Sequence, residues 1–236
     1  MKIHYFPDYD SFSQAAKELM LQEIIAKYNL LISAATGNSP LRAYQLLTSD
    51  FAQNPDLFAQ LRIIKPDEWG GVPMEHLQTC ESFIREHIIE PWRISEDRYF
   101  SFESNPSDPE EVCRQMQDTL TQQGPIDLCI LGIGKNGHIC FNEPAETLTY
   151  HFHKATLSPE SLTHSMAQSM EGQLQYGLTL GVGDIFKSQK ILLLITGSGK
   201  KAACEALLSQ KISTQLPASL LWLHPNVDCL IDRQVL

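Results

Sequence analysis

No stretch of this 236-residue chain is long and apolar enough to read as a membrane span, and no run of lysines and arginines offers a footprint for a nucleic-acid backbone. Lysine and arginine total 18 against 28 aspartates and glutamates, leaving a formal net charge of −10. That balance argues against general nucleic-acid binding, although a few local donors suffice to hold an anionic substrate on an acidic protein. The opening MKIHYFPDYD lacks the apolar core of a signal peptide. The cysteines (Cys80, Cys113, Cys129, Cys140, Cys204 and Cys229) show no CxxC spacing, and Cys129 and Cys229 fall in apolar runs that predict buried thiols. A reduced, cytoplasmic protein is expected. With no internal repeat, low-complexity tract or Pro/Gly-rich linker, a single domain over residues 1–236 is expected too.

What is present is organised around Ile126 to Pro144, IDLCILGIGKNGHICFNEP. Its nearly all-apolar opening, Ile126 to Leu131, reads as a strand buried on both faces. Gly132, Gly134 and Gly137 follow and permit tight turns and close approach to a ligand. His138, Asn142 and Glu143 come next. A strand ending in such a loop is where an open α/β sheet places its ligand.

Similar signals recur along the chain. Residues 11–28 carry helical periodicity, Leu30 to Ala35 reads as a short strand, and Thr36-Gly37-Asn38-Ser39-Pro40 leads into a helix near 40–49. Asn38 or Ser39 as N-cap with Pro40 at the first helical position marks that start, and its free N–H groups and dipole suit an anion. Leu61 to Lys65 is a further strand delivering Asp67-Glu68-Trp69-Gly70-Gly71 as a turn. Helices are expected over 76–90 and 108–122, strands over 98–102, 190–195 and 227–231, and a helix near 200–209. Residues 145–176 show no firm periodicity, which suggests a lid. Strands alternating with helices predict an α/β fold: an open, mostly parallel Rossmann-like sheet with helices on both faces.

Some motifs mislead. Gly132-x-Gly134-x-x-Gly137 satisfies the dinucleotide fingerprint, but Pro144 follows too soon for the long helix that fingerprint opens. Gly197-Ser198-Gly199-Lys200 is too short for a P-loop. His151 and His153 alternate without a third ligand at metal spacing, so no metal site is expected. On residue chemistry alone, His138 beside Glu143 is equally an ordinary loop histidine or a general acid–base, and Asp67-Glu68 reads as a solvated turn.

Taken together, Ala35-Thr36-Gly37-Asn38-Ser39-Pro40, Asp67-Glu68-Trp69, Gly132 to His138, Phe141-Asn142-Glu143-Pro144 and Thr179 to Gly183 resemble the amino-sugar-phosphate isomerase/deaminase family, of which glucosamine-6-phosphate deaminase is the best-known member. The resemblance runs from about residue 10 to 232. Within it, Lys135-Asn136 and the tail Leu216 to His224 look closest to galactosamine-6-phosphate isomerase/deaminase, so galactosamine 6-phosphate giving tagatose 6-phosphate and ammonia is expected, with glucosamine 6-phosphate as the alternative. Trp69 and Asn142-Glu143-Pro144 speak against the related 6-phosphogluconolactonases, and retention of Asp67 and Glu143 against a non-catalytic sensor.

The resemblance implies roles. His138, held by Glu143, would open the sugar ring, with Asn136 in its partner set. Asp67 would move a proton from C2 to C1, with Glu68 setting its charge. Thr36, Gly37, Asn38, Ser39, Gly134, Lys135, Gly137 and Lys200 would hold the substrate, Lys200 and the 36–39 turn gripping its phosphate. No cofactor or metal is required, and relatives range from monomers to hexamers, so a homo-oligomer is within its scope. Two departures matter. The glucosamine enzymes have an aspartate where this chain has Asn136, so the partner set of His138 carries one fewer negative charge here. The glucosamine enzymes hold the phosphate with an arginine after Asn-Glu-Pro, whereas residues 145–178 contain none, leaving Lys154, His164, Lys200 or a neighbouring subunit to compensate.

Overall fold

The structure, a computed structural model, describes residues 1–170 and 172–236. In chain order its elements are β1 (Lys2–Phe6), α1 (Tyr9–Ala26), β2 (Leu31–Ser33), α2 (Asn38–Gln53), β3 (Arg62–Ile64), β4 (Asp67–Gly70), α3 (Cys80–Ile84), β5 (Tyr99–Phe100), α4 (Pro109–Gln123), β6 (Leu128–Gly132), β7 (His153–Ala155), α5 (Pro159–Leu162), α6 (Ser165–Gln168), β8 (Tyr176–Thr179), α7 (Val182–Phe186), β9 (Lys190–Ile195), α8 (Lys201–Leu208) and β10 (Val227–Asp232).

Seven strands form one open sheet in the order β1-β10-β9-β6-β2-β3-β5, and every ladder in it is parallel. Strand alternation sends its apolar residues to two cores. Cys129, Leu131, Leu193 and Ile231 pack with Met116, Leu120 and Leu207 on one face. Leu128, Ile130, Leu192, Leu194 and Leu230 pack with Phe12, Met20, Tyr44 and Leu47 on the other. The expected open, mostly parallel α/β sheet is therefore present, and Cys129 and Cys229 are buried as anticipated.

Several local expectations are corrected. Asp67 to Gly70 is a strand, not a turn: β4 pairs antiparallel with β8, and β8 with β7, in a separate three-stranded sheet. The segment 145–176 thus contains a strand and two short helices instead of irregular chain. The helix expected over 76–90 starts at Cys80, because the Thr79 hydroxyl accepts the Ser82 N–H and caps it there, and it ends in a π-turn over Arg85–Ile89. Asp8 caps α1, accepting the Ser11 N–H at 2.8 Å.

The start of α2 also differs. Gly37, with φ +85°, is the N-cap, which places Asn38 and Ser39 inside the first turn and Pro40 beyond its first position. A left-handed φ suits glycine, which has no Cβ to clash. No side chain among the described residues caps this turn, so its leading N–H groups remain available to a ligand.

Candidate active site

The C-terminal ends of β2, β3 and β6 deliver three loops to one region beside the point where the strand order turns back, the place an open parallel sheet reserves for ligands. The loop after β3 runs directly into β4, so Asp67 and Glu68 are neighbours on a strand and point to opposite faces.

Glu68 is sealed inside. Its carboxylate accepts the N–H groups of Trp69, Cys80 and Glu81, each at 2.8 Å. The fully buried Lys65 ammonium donates to Glu68 at 3.0 Å, to Glu81 at 2.9 Å and to the Phe102 carbonyl at 2.6 Å. Glu81 in turn accepts from Tyr99 and Arg85 at 2.8 and 2.7 Å. Each buried charge is therefore paired, as a low-dielectric interior requires.

Asp67 remains half-open to solvent. Burial, and secondly the negative charge of Glu68, raise its carboxyl to about 7. The Cys80 thiol, the Lys65 charge and the Cys140 thiol pull it down less strongly. A carboxyl poised near neutrality is fit to take up and return a proton.

The loop after β6 brings up the second titratable group. His138 Nδ1 lies 3.3 Å from Glu143 Oε2 and 3.2 Å from Ser161 Oγ. Ser161 donates to Glu143 Oε1 at 2.5 Å, and Asn136 Nδ2 donates to Oε2 at 2.8 Å. Asn136 also accepts the His138 N–H at 3.2 Å and donates to Ser158 Oγ at 3.1 Å. Burial works against ionisation of Glu143, but the hydrogen bond and charge of His138, then Ser161 and Asn136, outweigh it and hold the carboxyl at about 2. A fixed carboxylate at Nδ1 keeps that nitrogen protonated and leaves Nε2 to exchange protons. The imidazole lies across Gly134, where a Cβ would stand 2.3 Å from its Cε1. Gly137 packs under Leu216, which would meet a Cβ at 2.1 Å.

The two loops are tied together. Thr179 on β8 stands opposite Asp67 in the ladder, and its hydroxyl accepts the Phe141 N–H at 3.0 Å. Cys140, next to Phe141, places its thiol against Asp67. On the other side, the Thr36 hydroxyl lies 3.5 Å from Cys80 Sγ, which also faces Asp67. Lys200 Nζ lies 3.5 Å from the hydroxyl of the buried Ser39, in the first turn of α2, and the Lys135 side chain runs beside Gly199. Asn38 is exposed, and its carbonyl accepts the Tyr9 hydroxyl at 2.5 Å.

Asp67, His138, Glu143, Asn136, Thr36, Gly37, Ser39, Gly134, Lys135 and Lys200 are therefore brought around one region. Glu68 lies behind its wall. Sequence reasoning missed Ser161, Ser158 and the two thiols. A usable signal existed for one element: Ser158 followed by Pro159 is a helix-start pair, and Ser158 does cap α5.

The sequence pattern described as "Glucosamine-6-phosphate isomerases/6-phosphogluconolactonase" matches residues 8–230. The chain belongs to this family. Within the family it is similar to a solved monomeric glucosamine-6-phosphate deaminase, with a TM-score of 0.93 and 30% identity over 100% of this chain and 98% of the other. It is 39% identical over 95% of its length to a putative deaminase, AgaI, of Escherichia coli K12, covering 89% of that protein. It is 31% identical over 99% of its length to a glucosamine-6-phosphate deaminase of Thermoanaerobacter pseudethanolicus, covering 93% of that protein.

These findings overturn the narrower expectation that the chain stands nearest the galactosamine enzymes, since the family relatives found repeatedly are glucosamine-6-phosphate deaminases. Of the residues behind that expectation, Asn136 braces Glu143, and Leu216 covers Gly137. An enzyme site of the amino-sugar-phosphate isomerase/deaminase type is what this family fold and these loops build.

Proposed function

We propose that this chain is a glucosamine-6-phosphate deaminase, converting its substrate and water to fructose 6-phosphate and ammonia. The observation that carries the reading is the meeting of Asp67, held near neutrality, with the His138–Glu143 pair beside an uncapped helix turn. The similarity to glucosamine-6-phosphate deaminases over nearly the full chain supports glucosamine 6-phosphate as the substrate.

In this reading the 6-phosphate sits on the N–H groups at the start of α2 with Lys200. His138 Nε2 takes the proton of the anomeric hydroxyl and a proton passes to the ring oxygen, so the C1–O5 bond breaks and the open aldehyde forms. Nδ1 stays hydrogen-bonded to Glu143 while the imidazole carries charge. Asp67, ionised, takes the proton from C2; the electron pair becomes a C1=C2 double bond and the aldehyde oxygen is protonated. The Asp67 carboxyl then returns its proton to C1, and electrons from the amino nitrogen form a C2=N iminium. Water adds to C2, the C2–N bond breaks, and ammonia leaves behind a ketone. The net change is one water consumed and one ammonia released.

Ammonia release assayed side by side from glucosamine 6-phosphate and its C4 epimer, with lactone hydrolysis as a third arm, tests the reading. Preference for glucosamine 6-phosphate is expected. Faster turnover of galactosamine 6-phosphate, or of the lactone, overturns it.

A further inference from the structure

The segment between β7 and β8 carries Ser161 and His164, nearly one helical turn apart. Ser161 belongs to the His138–Glu143 pair. His164 faces something else. Its Cε1 is 4.0 Å from where a Cβ on Gly37 would stand, so the ring lies over the very glycine that opens α2. It is tilted 31° against the Trp69 ring, with centroids 6.1 Å apart.

Its tautomer follows from the backbone. His164 is the N-cap of α6, and its Nδ1 accepts the Met166 N–H at 3.3 Å. An accepting Nδ1 carries no proton, so the neutral ring bears its proton on Nε2. Although the residue is exposed over part of its surface, the surrounding protein, and then the charges of Lys200, His138 and Lys135, disfavour imidazolium. Lys135 and Lys200 form no ion pair among the described residues, and their mutual repulsion contributes to lowering Lys200. Donors of one sign gathered at a free helix start await an anion.

We propose that His164 is the neutral donor of the phosphate subsite, its Nε2–H supplementing Lys200 and the 36–39 turn. This rests on the phosphate reading of that turn and assigns to this chain's own histidine the place that the resemblance gave to an arginine. Lys154, the other basic candidate within the chain segment, is committed elsewhere. Its Nζ lies 3.6 Å from Glu110 and 4.8 Å above the Tyr176 ring centre.

The test measures binding of fructose 6-phosphate by calorimetry at pH 7 and pH 8.5, which requires no turnover. His164→Ala is expected to weaken binding about tenfold or more, the scale of a hydrogen bond to a charged group. His164→Gln, which keeps an N–H near the position of Nε2, is expected to restore most of it. The ratio of wild type to His164→Ala should be equal at the two pH values, because a neutral donor has no charge to lose. Lys154→Ala should bind like the wild type. Unchanged affinity in His164→Ala, a Gln variant as weak as the Ala variant, or a loss confined to pH 7 overturns the assignment while leaving the deaminase reading intact. Ammonia release can fail independently, and then the deaminase reading falls while this binding pattern stands. A wild type that does not bind fructose 6-phosphate at millimolar concentration overturns the phosphate reading of the turn and this assignment with it.

Discussion

Asp67 and Glu68 are adjacent on one short strand yet occupy opposite environments. Glu68 is fully buried and held by Lys65 and three backbone N–H groups, whereas Asp67 is only half-buried. The pairing makes chemical sense. The neighbouring charge, fixed behind the wall by Lys65, raises the carboxyl in front of it.

Asp67→Asn separates catalysis from folding. Under the proposed mechanism, loss of this carboxylate should lower kcat by about 10²–10⁴-fold, the range of general acid–base catalysis. Stability should move the other way. The folded pKa of about 7 lies above the ordinary 3.8, so ionising Asp67 opposes folding. That penalty is absent below about pH 3.8, grows between there and about 7, and is complete above. Solvent at the open edge screens part of it, leaving about 2 kcal/mol and a gain in Tm of about 4–8 °C for the variant at pH 8. Thermal melts at pH 4 and pH 8 check this; a variant less stable at both contradicts it.

The acid limb of kcat/KM should lie at about pH 7, because the proposed mechanism needs Asp67 ionised. Glu68→Gln removes the neighbouring charge and should move that limb to lower pH. Lys65 keeps Glu81, so the variant should fold, about 1–3 kcal/mol less stable than the parent. A pH–rate profile unchanged in Glu68→Gln would show that burial alone sets the proton affinity.

Ser161→Ala deletes a donor to Glu143. The carboxyl should rise from about 2, weakening its hold on His138, and kcat should fall roughly tenfold with little change in KM. There is a stability signature as well. A depressed carboxyl stabilises the fold above its ordinary pKa of 4.5, and the contribution is lost as pH falls toward 2. Acid unfolding of the variant should therefore begin at higher pH. Circular dichroism followed from pH 5 to pH 2 would detect the difference.

Burial first, and Lys135 second, bring Lys200 down to about 8. Without an anion it sheds its proton as pH passes 8, so KM for the phosphorylated substrate should climb above that point while kcat changes less. Lys135→Met removes a like charge and should push the onset to higher pH. An alkaline rise in KM at the same pH in both proteins would exclude Lys135 as the cause.

Much of the fold was legible because a parallel strand buried on both faces is written as a short, mostly apolar run, and such runs at 30–35, 61–65, 126–131, 190–195 and 227–231 all became strands of the large sheet. The loops that follow were legible too, since Gly37 and Gly134 stand where a backbone or an imidazole needs the room of a missing Cβ. The strand character of Asp67 to Gly70 was not. Its partner β8 lies more than a hundred residues away, and a short strand's pairing is set by that partner, not by its own four residues.

The sequence by itself determined which chemical groups exist and, through local periodicity and glycine placement, that a histidine and a carboxylate would follow a buried strand. Only the tertiary structure decided what each group became. It sealed Glu68 on Lys65 while leaving Asp67 open, and it folded an aperiodic segment back so that Ser161 meets Glu143 and His164 meets Gly37. The reason is physical: local propensity acts over one or two turns of chain, whereas desolvation and charge pairing depend on neighbours through space.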